Sequence, residues 1–252
     1  MAQSENPAAA RPDIAASGEG ELLTVRGLKA GYGSTQVVFD AELNVKPREI
    51  VGVIGHNGAG KSTTLHTIFG ILQPRGGEIL FDGQNAAGRT CHRNVISGMA
   101  LARSERFVFA QLSVHENLML GGLWRTPAER QEDIEKVYAL FPILQERTKQ
   151  RAGQLSGGQQ RMLSIGMAMM GNPKLILLDE PSLGIAPSLT VRVFDTMRQL
   201  VDERGISVLI VEQNVPQLLR IVDRVYVMRS GRIVQEEPVE QLRQREHYWD
   251  LF

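Results

Sequence analysis

The residues best suited to chemistry fall in one short run, Gly55-His-Asn-Gly-Ala-Gly-Lys-Ser62, and in a pair of carboxylates far away in sequence, Asp179-Glu180. The run fits G-x-x-x-x-G-K-[ST] at every fixed position. Gly55, Gly58 and Gly60 let backbone N–H groups curl around an anion where a Cβ would obstruct the approach. A helix beginning near Lys61 would aim its unsatisfied N–H groups and its positive dipole end at the same anion. Lys61 is then placed to reach β- and γ-phosphates, and Ser62 to offer its hydroxyl to Mg²⁺. Asn57 and Thr63 complete this candidate nucleotide-binding set. His56 occupies an unconstrained position and is given no chemistry. A glycine-rich strand–helix turn without a ligand is the structural alternative, and the apolar strand before the loop and the helix after it weigh against that.

Leu175-Ile-Leu-Leu-Asp179-Glu180 reads as a buried strand ending in two carboxylates. In a wound parallel sheet the carboxyl ends of strands face the ligand crevice. Asp179 therefore suits Mg²⁺ coordination, direct or through water, and Glu180 suits orienting and deprotonating an attacking water. Such a pair can also merely cap the next helix; the phosphate loop favours the catalytic reading. A third element is Leu155-Ser-Gly-Gly-Gln159 at the head of a helical run to about Met170. Ser156, Gly157, Gly158 and Gln159 would form a second anion cradle at a helix N-terminus. One chain does not need two cradles for one triphosphate.

These residues resemble the ABC ATPase family, whose signature is LSGGQ, over about Leu22 to Val234. The resemblance implies a P-loop NTPase of α/β class: a wound parallel sheet, an N-terminal antiparallel β subdomain and an inserted helical subdomain, roughly 95–163, within a cassette spanning 21–252. It implies ATP and Mg²⁺ as cofactors. It also implies a head-to-tail partnership with a second cassette, identical or paralogous, in which each signature closes over the ATP on the partner's loop. Tyr32 stands where the family stacks an aromatic ring on adenine; a tyrosine simply packed in a β-meander is the other reading.

More narrowly, the chain looks like the ATP-binding subunits of branched-chain amino acid importers and their urea and amide relatives. The residues carrying this likeness are Glu180-Pro-Ser-Leu-Gly-Ile-Ala-Pro187, Val211-Glu-Gln-Asn214, Glu116-Asn-Leu-Met-Leu-Gly-Gly122 and Gln150-Arg-Ala-Gly153. Gln213 holds the place of the usual γ-phosphate-sensing His; it can hydrogen-bond a phosphate but carries no charge. Ala186 replaces the usual Asp of the loop after the catalytic Glu. The family's core-to-lobe loop carries Gln or Glu, whereas alignment here puts Ser104, with Glu105 beside it, at that position. That loop and the following Arg106–Leu112 are expected to receive a cytoplasmic helix of a membrane permease. The implied role is to hydrolyse ATP at the cytoplasmic face of a bacterial inner membrane, peripherally, while a periplasmic binding protein delivers a small polar solute. A non-transport ABC ATPase and a weakly active regulatory cassette are the alternatives.

The elements that must position these groups are legible as patterns. Leu22–Val25, Gln36–Phe39 and Glu42–Val45 suggest an antiparallel meander. Glu49–Gly55 is an apolar strand feeding the phosphate loop, Lys61–Leu72 a helix, and Glu78–Phe81 a strand before the turn Asp82-Gly83. From about Arg89 to Arg161 the pattern is mainly helical, with Ser113-Val-His-Glu116 as a capping box and Ala128–Phe141 as a further helix. Met162, Met167, Met169 and Met170 read as adaptable packing. Lys174–Leu178 and Ser207–Val211 are continuous apolar runs, as in strands buried on both faces. Pro187–Glu203 is a helix between them, and Val225–Met228 with Arg232–Gln235 a late hairpin.

Composition removes other classes. A chain of 252 residues with 42% hydrophobic and 22% charged content has ample material for one core. Its 28 Lys plus Arg balance 28 Asp plus Glu, so no overall field gathers nucleic acid, and none is expected as a partner. The lone Cys91 forms no internal disulfide and lacks a catalytic partner motif, and the five His show no metal-ligand spacing. The first twenty residues lack an apolar h-region and read as a tail. No stretch approaches a membrane span of about 20 apolar residues. A GTPase would need an Asn-Lys-x-Asp guanine-reading motif, which does not occur.

Overall fold

The computed structural model describes residues 20–103 and 107–244. The expected tail, Gly20 apart, and the Ser104 and Glu105 alignment fall outside them.

Strands β1 (Leu23–Tyr32) and β2 (Thr35–Val45) form the N-terminal hairpin, paired from Leu23↔Val45 to Tyr32↔Thr35. The runs expected to be split around Gly31–Gly33 are longer than that: the turn is at Gly33-Ser34, and Gln36–Phe39 merges with Glu42–Val45. Pairing on both sides extends the strands past their most apolar positions. Strand β3 (Ile50–Ile54) leads into helix α1 (Lys61–Phe69), which ends at Gly70 rather than Leu72, because Gly70 caps it in the left-handed conformation. Strand β4 (Gly76–Phe81) returns antiparallel to β1, and the short β5 (Gln84–Asn85) finishes that edge.

Within the stretch read as mainly helical, α2 (Cys91–Ile96) is followed by a strand, β6 (Met99–Ala102), parallel to β7 at the far edge of the sheet. Its sequence, Met-Ala-Leu-Ala, has no β-branched residue; pairing, not propensity, makes it a strand. Four helices follow: α3 (Val114–Gly121), α4 (Pro127–Leu140), α5 (Pro142–Glu146) and α6 (Gly157–Met169). Helices α3, α4 and α6 each start with a reciprocal capping box, Ser113/Glu116, Thr126/Glu129 and Ser156/Gln159. Each box satisfies two backbone donors at a helix start.

The rest alternates strand and helix: β7 (Leu175–Asp179), α7 (Pro187–Arg204), β8 (Ser207–Val211), α8 (Val215–Leu218), β9 (Arg224–Arg229), β10 (Arg232–Pro238) and α9 (Val239–Arg243). The strand order is β5-β4-β1-β2-β10-β9-β3-β8-β7-β6, parallel from β9 to β6. The antiparallel strands join through β10, which meets β2 at the single pair Arg232↔Asp40. Arg224 braces this junction, donating to Glu49 at 2.7 Å, Glu236 at 2.8 Å and the Asn44 carbonyl at 2.7 Å.

Alternate residues of the parallel strands feed two separate cores. Ile176, Leu178, Val208 and Ile210 pack with the helices from α3 to α9. Leu175, Leu177, Leu209 and Val211 pack with α1 and the antiparallel strands. Covering both faces is what makes these strands uniformly apolar. It also leaves their carboxyl ends as the sheet's free margin, and β3, β8 and β7 are adjacent there.

Candidate phosphate-binding site

Between the end of β3 and the first residue of α1 the chain makes a loop whose shape glycine permits. A Cβ on Gly55 would lie 2.2 Å from the Met228 carbonyl oxygen, so the loop presses directly on β9. Gly60 caps α1 at φ 106°, a left-handed value open to glycine, and no side chain caps the helix there. The first-turn N–H groups of α1 are thus left for another acceptor. Lys61 is buried, and its ammonium donates to the carbonyls of Gly55 at 2.7 Å and His56 at 3.1 Å. Burial pulls the Lys61 pKa below its ordinary value, while the carboxylates of Glu180, Asp179 and Glu212 act in the opposite direction.

Asp179 ends β7 and is buried. Its Oδ1 accepts from the Ser62 hydroxyl at 2.7 Å, and its Oδ2 lies 3.3 Å from His66 Nε2. A hydroxyl and a carboxylate in contact beside a phosphate loop form a hard oxygen donor set, the kind Mg²⁺ takes when nucleotide phosphates supply further ligands. Glu180 follows at φ 45°, unusual for a residue with a side chain. Its N–H donates to the Val211 carbonyl at 2.9 Å, and its Oε1 accepts from the Gln213 amide.

These groups share one open cavity of about 410 Å³, lined among others by Asn57, Gly58, Lys61, Ser62, Glu180 and Gln213, with Gly60 and Thr63 also in its wall. Tyr32 stands at its margin, 49% exposed, with its hydroxyl 3.5 Å from Thr63 Oγ1. Ser156, Gly157, Gly158 and Gln159 do not line it. They start α6, where the Ser156 and Gln159 side chains hold each other's backbone N–H groups. The structure thus gathers the loop, Asp179, Glu180 and Gln213, and leaves Ser156 to Gln159 outside this cavity.

Three buried or half-buried polar residues have structural partners that the sequence did not single out. Glu212 is 2% exposed; it accepts from the Ser182 hydroxyl, from the Ser182 N–H at 3.4 Å and from the Asn214 N–H at 3.2 Å. It therefore ties the loop after β7 to the loop after β8, and burial raises its pKa above the ordinary carboxyl value, against those hydrogen bonds. Asn117 is fully buried, accepting from the Phe109 N–H at 2.7 Å and donating to Ser113 O at 2.8 Å and Phe109 O at 3.1 Å, which shapes the segment before α3. His66 is the third. The motif Val211-Glu-Gln-Asn214 drew attention to Gln213, and nothing in its spacing marked Glu212 as the buried member.

A second feature lies between β6 and helices α3 and α6: an apolar groove of about 370 Å³, lined by Phe69, Ile71, Leu101, Phe107, Trp124 and Met167 among others. Phe107, Trp124 and Ile71 are largely exposed there. An apolar patch of this kind marks a contact site. Among the described residues no helix is long and apolar enough to cross a membrane, and no cluster of three or more His, Cys, Asp or Glu could hold a metal by itself.

Comparison with known proteins bears on the same residues. The profile of the family described as "ABC transporter" matches residues 38–183. The high-affinity branched-chain amino acid transport ATP-binding protein BraG of Pseudomonas aeruginosa is 45% identical over 216 residues, covering 86% of this chain and 92% of that protein. The lipopolysaccharide export system ATP-binding protein LptB of Haemophilus influenzae is 36% identical over 227 residues, covering 88% and 92%. Among solved structures, the ADP conformation of MJ1267, an ATP-binding cassette of an ABC transporter, superposes with a TM-score of 0.79 at 26% identity, covering 92% of this chain and 98% of that one.

Proposed function

Because this chain belongs to the ABC transporter family of ATP-hydrolysing cassettes, we propose that it is the ATP-binding and hydrolysing subunit of an importer for branched-chain amino acids or a related small polar solute. The observation that carries this reading is the cavity in which Lys61, Ser62, Glu180 and Gln213 converge above the buried Asp179. The loop N–H groups and Lys61 bind the phosphates, and Ser62 and Asp179 are the residues that would hold Mg²⁺, which would supply charge neutralisation to the phosphates. Glu180 takes the proton of the attacking water, and its bond to Gln213 sets the carboxylate's orientation. Tyr32 borders the purine end.

Ser156 to Gln159 complete the site of a second cassette, since they do not line the cavity of the chain's own loop. The helical insert, roughly 95–163, moves with that cradle, and the groove beside Trp124 and Phe107 takes a cytoplasmic helix of a permease subunit at the inner face of the membrane. A periplasmic binding protein supplies the solute. The 45% identity to BraG supports import; the 36% identity to LptB keeps export as the rival direction. Reconstitution with the co-encoded permeases distinguishes them: ATP-driven accumulation of leucine with its binding protein is expected. Failure to accumulate any such solute, with Mg-dependent ATPase intact, would overturn import and leave the cassette reading in place. No Mg-dependent ATPase at all would favour the weakly active regulatory alternative.

A further inference from the structure

Ser62 and His66 are four residues apart in α1, and so project from one face of the helix. Both reach the same carboxylate. Ser62 Oγ donates to Asp179 Oδ1 at 2.7 Å, and His66 Nε2 lies 3.3 Å from Asp179 Oδ2. The histidine side chain is 13% exposed and the aspartate's 3%, so little water competes for the contact. His66 Nε2 is buried and makes no aligned hydrogen bond, and the charged atom beside it is Asp179 Oδ2. The helix turn holding the imidazole is itself fixed, because the His66 carbonyl accepts the N–H groups of Gly70 at 3.1 Å and Ile71 at 2.9 Å.

We propose that His66 is a positioning residue for the metal–nucleotide complex, its Nε2–H holding Asp179 Oδ2 so that Oδ1 stays turned toward Ser62. The inference rests on the ATP-site reading above. A carboxylate turns easily about its last bond, through a broad two-fold well. The Ser62 hydrogen bond fixes one oxygen; an Nε2–H closing the 3.3 Å gap to the other oxygen would fix the plane. His66 does not line the phosphate cavity, so it acts through Asp179 and not on the nucleotide. Imidazole is also a poor match for Mg²⁺, which selects oxygen ligands. Groups that hold a ligating carboxylate or its partners from behind commonly influence metal affinity by about 10–100-fold.

Two substitutions in the full-length chain test this, read by binding of a fluorescent ATP analogue across a Mg²⁺ titration and again in EDTA. His66→Leu removes the donor at similar volume; His66→Gln places an amide N–H near the position of Nε2. The expected result is a rise of about 10-fold or more in half-saturating Mg²⁺ for His66→Leu, with metal-free nucleotide affinity unchanged, and a value near the parent's for His66→Gln. An unchanged Mg²⁺ requirement in His66→Leu would overturn the proposal. So would an equal loss with and without metal, or a His66→Gln as impaired as His66→Leu. A parent chain that binds nucleotide with no Mg²⁺ dependence would instead strike the ATP-site reading itself.

Discussion

The Gln213 amide donates to the Glu180 carboxylate across two loops that follow adjacent strands, β8 and β7. Glu180 therefore keeps one oxygen engaged while its side chain lines the cavity. Replacing Glu180 by Gln removes the base while keeping its shape. Nucleotide affinity should stay within a few-fold of the parent, and turnover should fall by about 10²–10⁴-fold. Steady-state phosphate release measures this, and parent-like turnover would remove Glu180 from the role.

Lys61 is bound to the carbonyls of its own loop and flanked by three carboxylates. It is the first residue of the helix whose N-terminus carries no side-chain cap. Lys61→Ala should abolish tight ATP binding, raising Kd by at least about 100-fold, the scale of losing a close charge-assisted contact. Calorimetry with ATP decides it; an unaltered Kd would refute the loop assignment.

The structure separates the two cradles that the sequence placed in one chain. Ser156→Arg sets a bulky cation where a partner's triphosphate would sit, yet leaves the chain's own loop untouched. Monomer affinity for ATP should be unchanged, while ATP-driven pairing in the Glu180→Gln background, read by light scattering, should be lost. Pairing undiminished by the arginine would show that this surface does not meet a second cassette.

Glu212 supplies a pH-dependent test. Burial raises its pKa above the ordinary value of 4.5. The folded state thus prefers the protonated form, and the stability this group contributes is full below about pH 4.5 and is lost as pH rises through the raised pKa. Glu212→Gln removes the titration and keeps one acceptor oxygen. Its melting temperature relative to the parent should increase between about pH 4 and pH 8, and a difference that stays flat or falls would contradict the sign. Glu212→Ala should cost about 1–3 kcal/mol at low pH, because the donors of Ser182 and Asn214 lose their acceptor.

Much of the architecture was legible because it rests on local signals. Ser113/Glu116 and Ser156 before its helix announced helix starts, and the uniformly apolar β7 and β8 announced a sheet covered on both sides. Strand β6 was hidden because Met-Ala-Leu-Ala owes its conformation to its neighbour β7. The phosphate loop and the carboxylate pair were readable as motifs, but their contact was not. Ser62 and Asp179 are 117 residues apart, and only the adjacency of strands brings them within a hydrogen bond. Glu212 and Asn117 escaped for a related reason: their importance lies in being buried with several backbone partners, and burial of a single polar residue leaves no periodic trace.

The left-handed backbone at Glu180 sets durability against turnover at one position. An L-residue in that region is disfavoured by roughly 1–2 kcal/mol, a strain that glycine does not feel, although glycine's looser unfolded chain returns about 0.5–1 kcal/mol of that advantage. Glu180→Gly would relieve that backbone strain while giving up the side-chain bond to Gln213, so the position trades a backbone cost for the carboxylate it holds over the cavity.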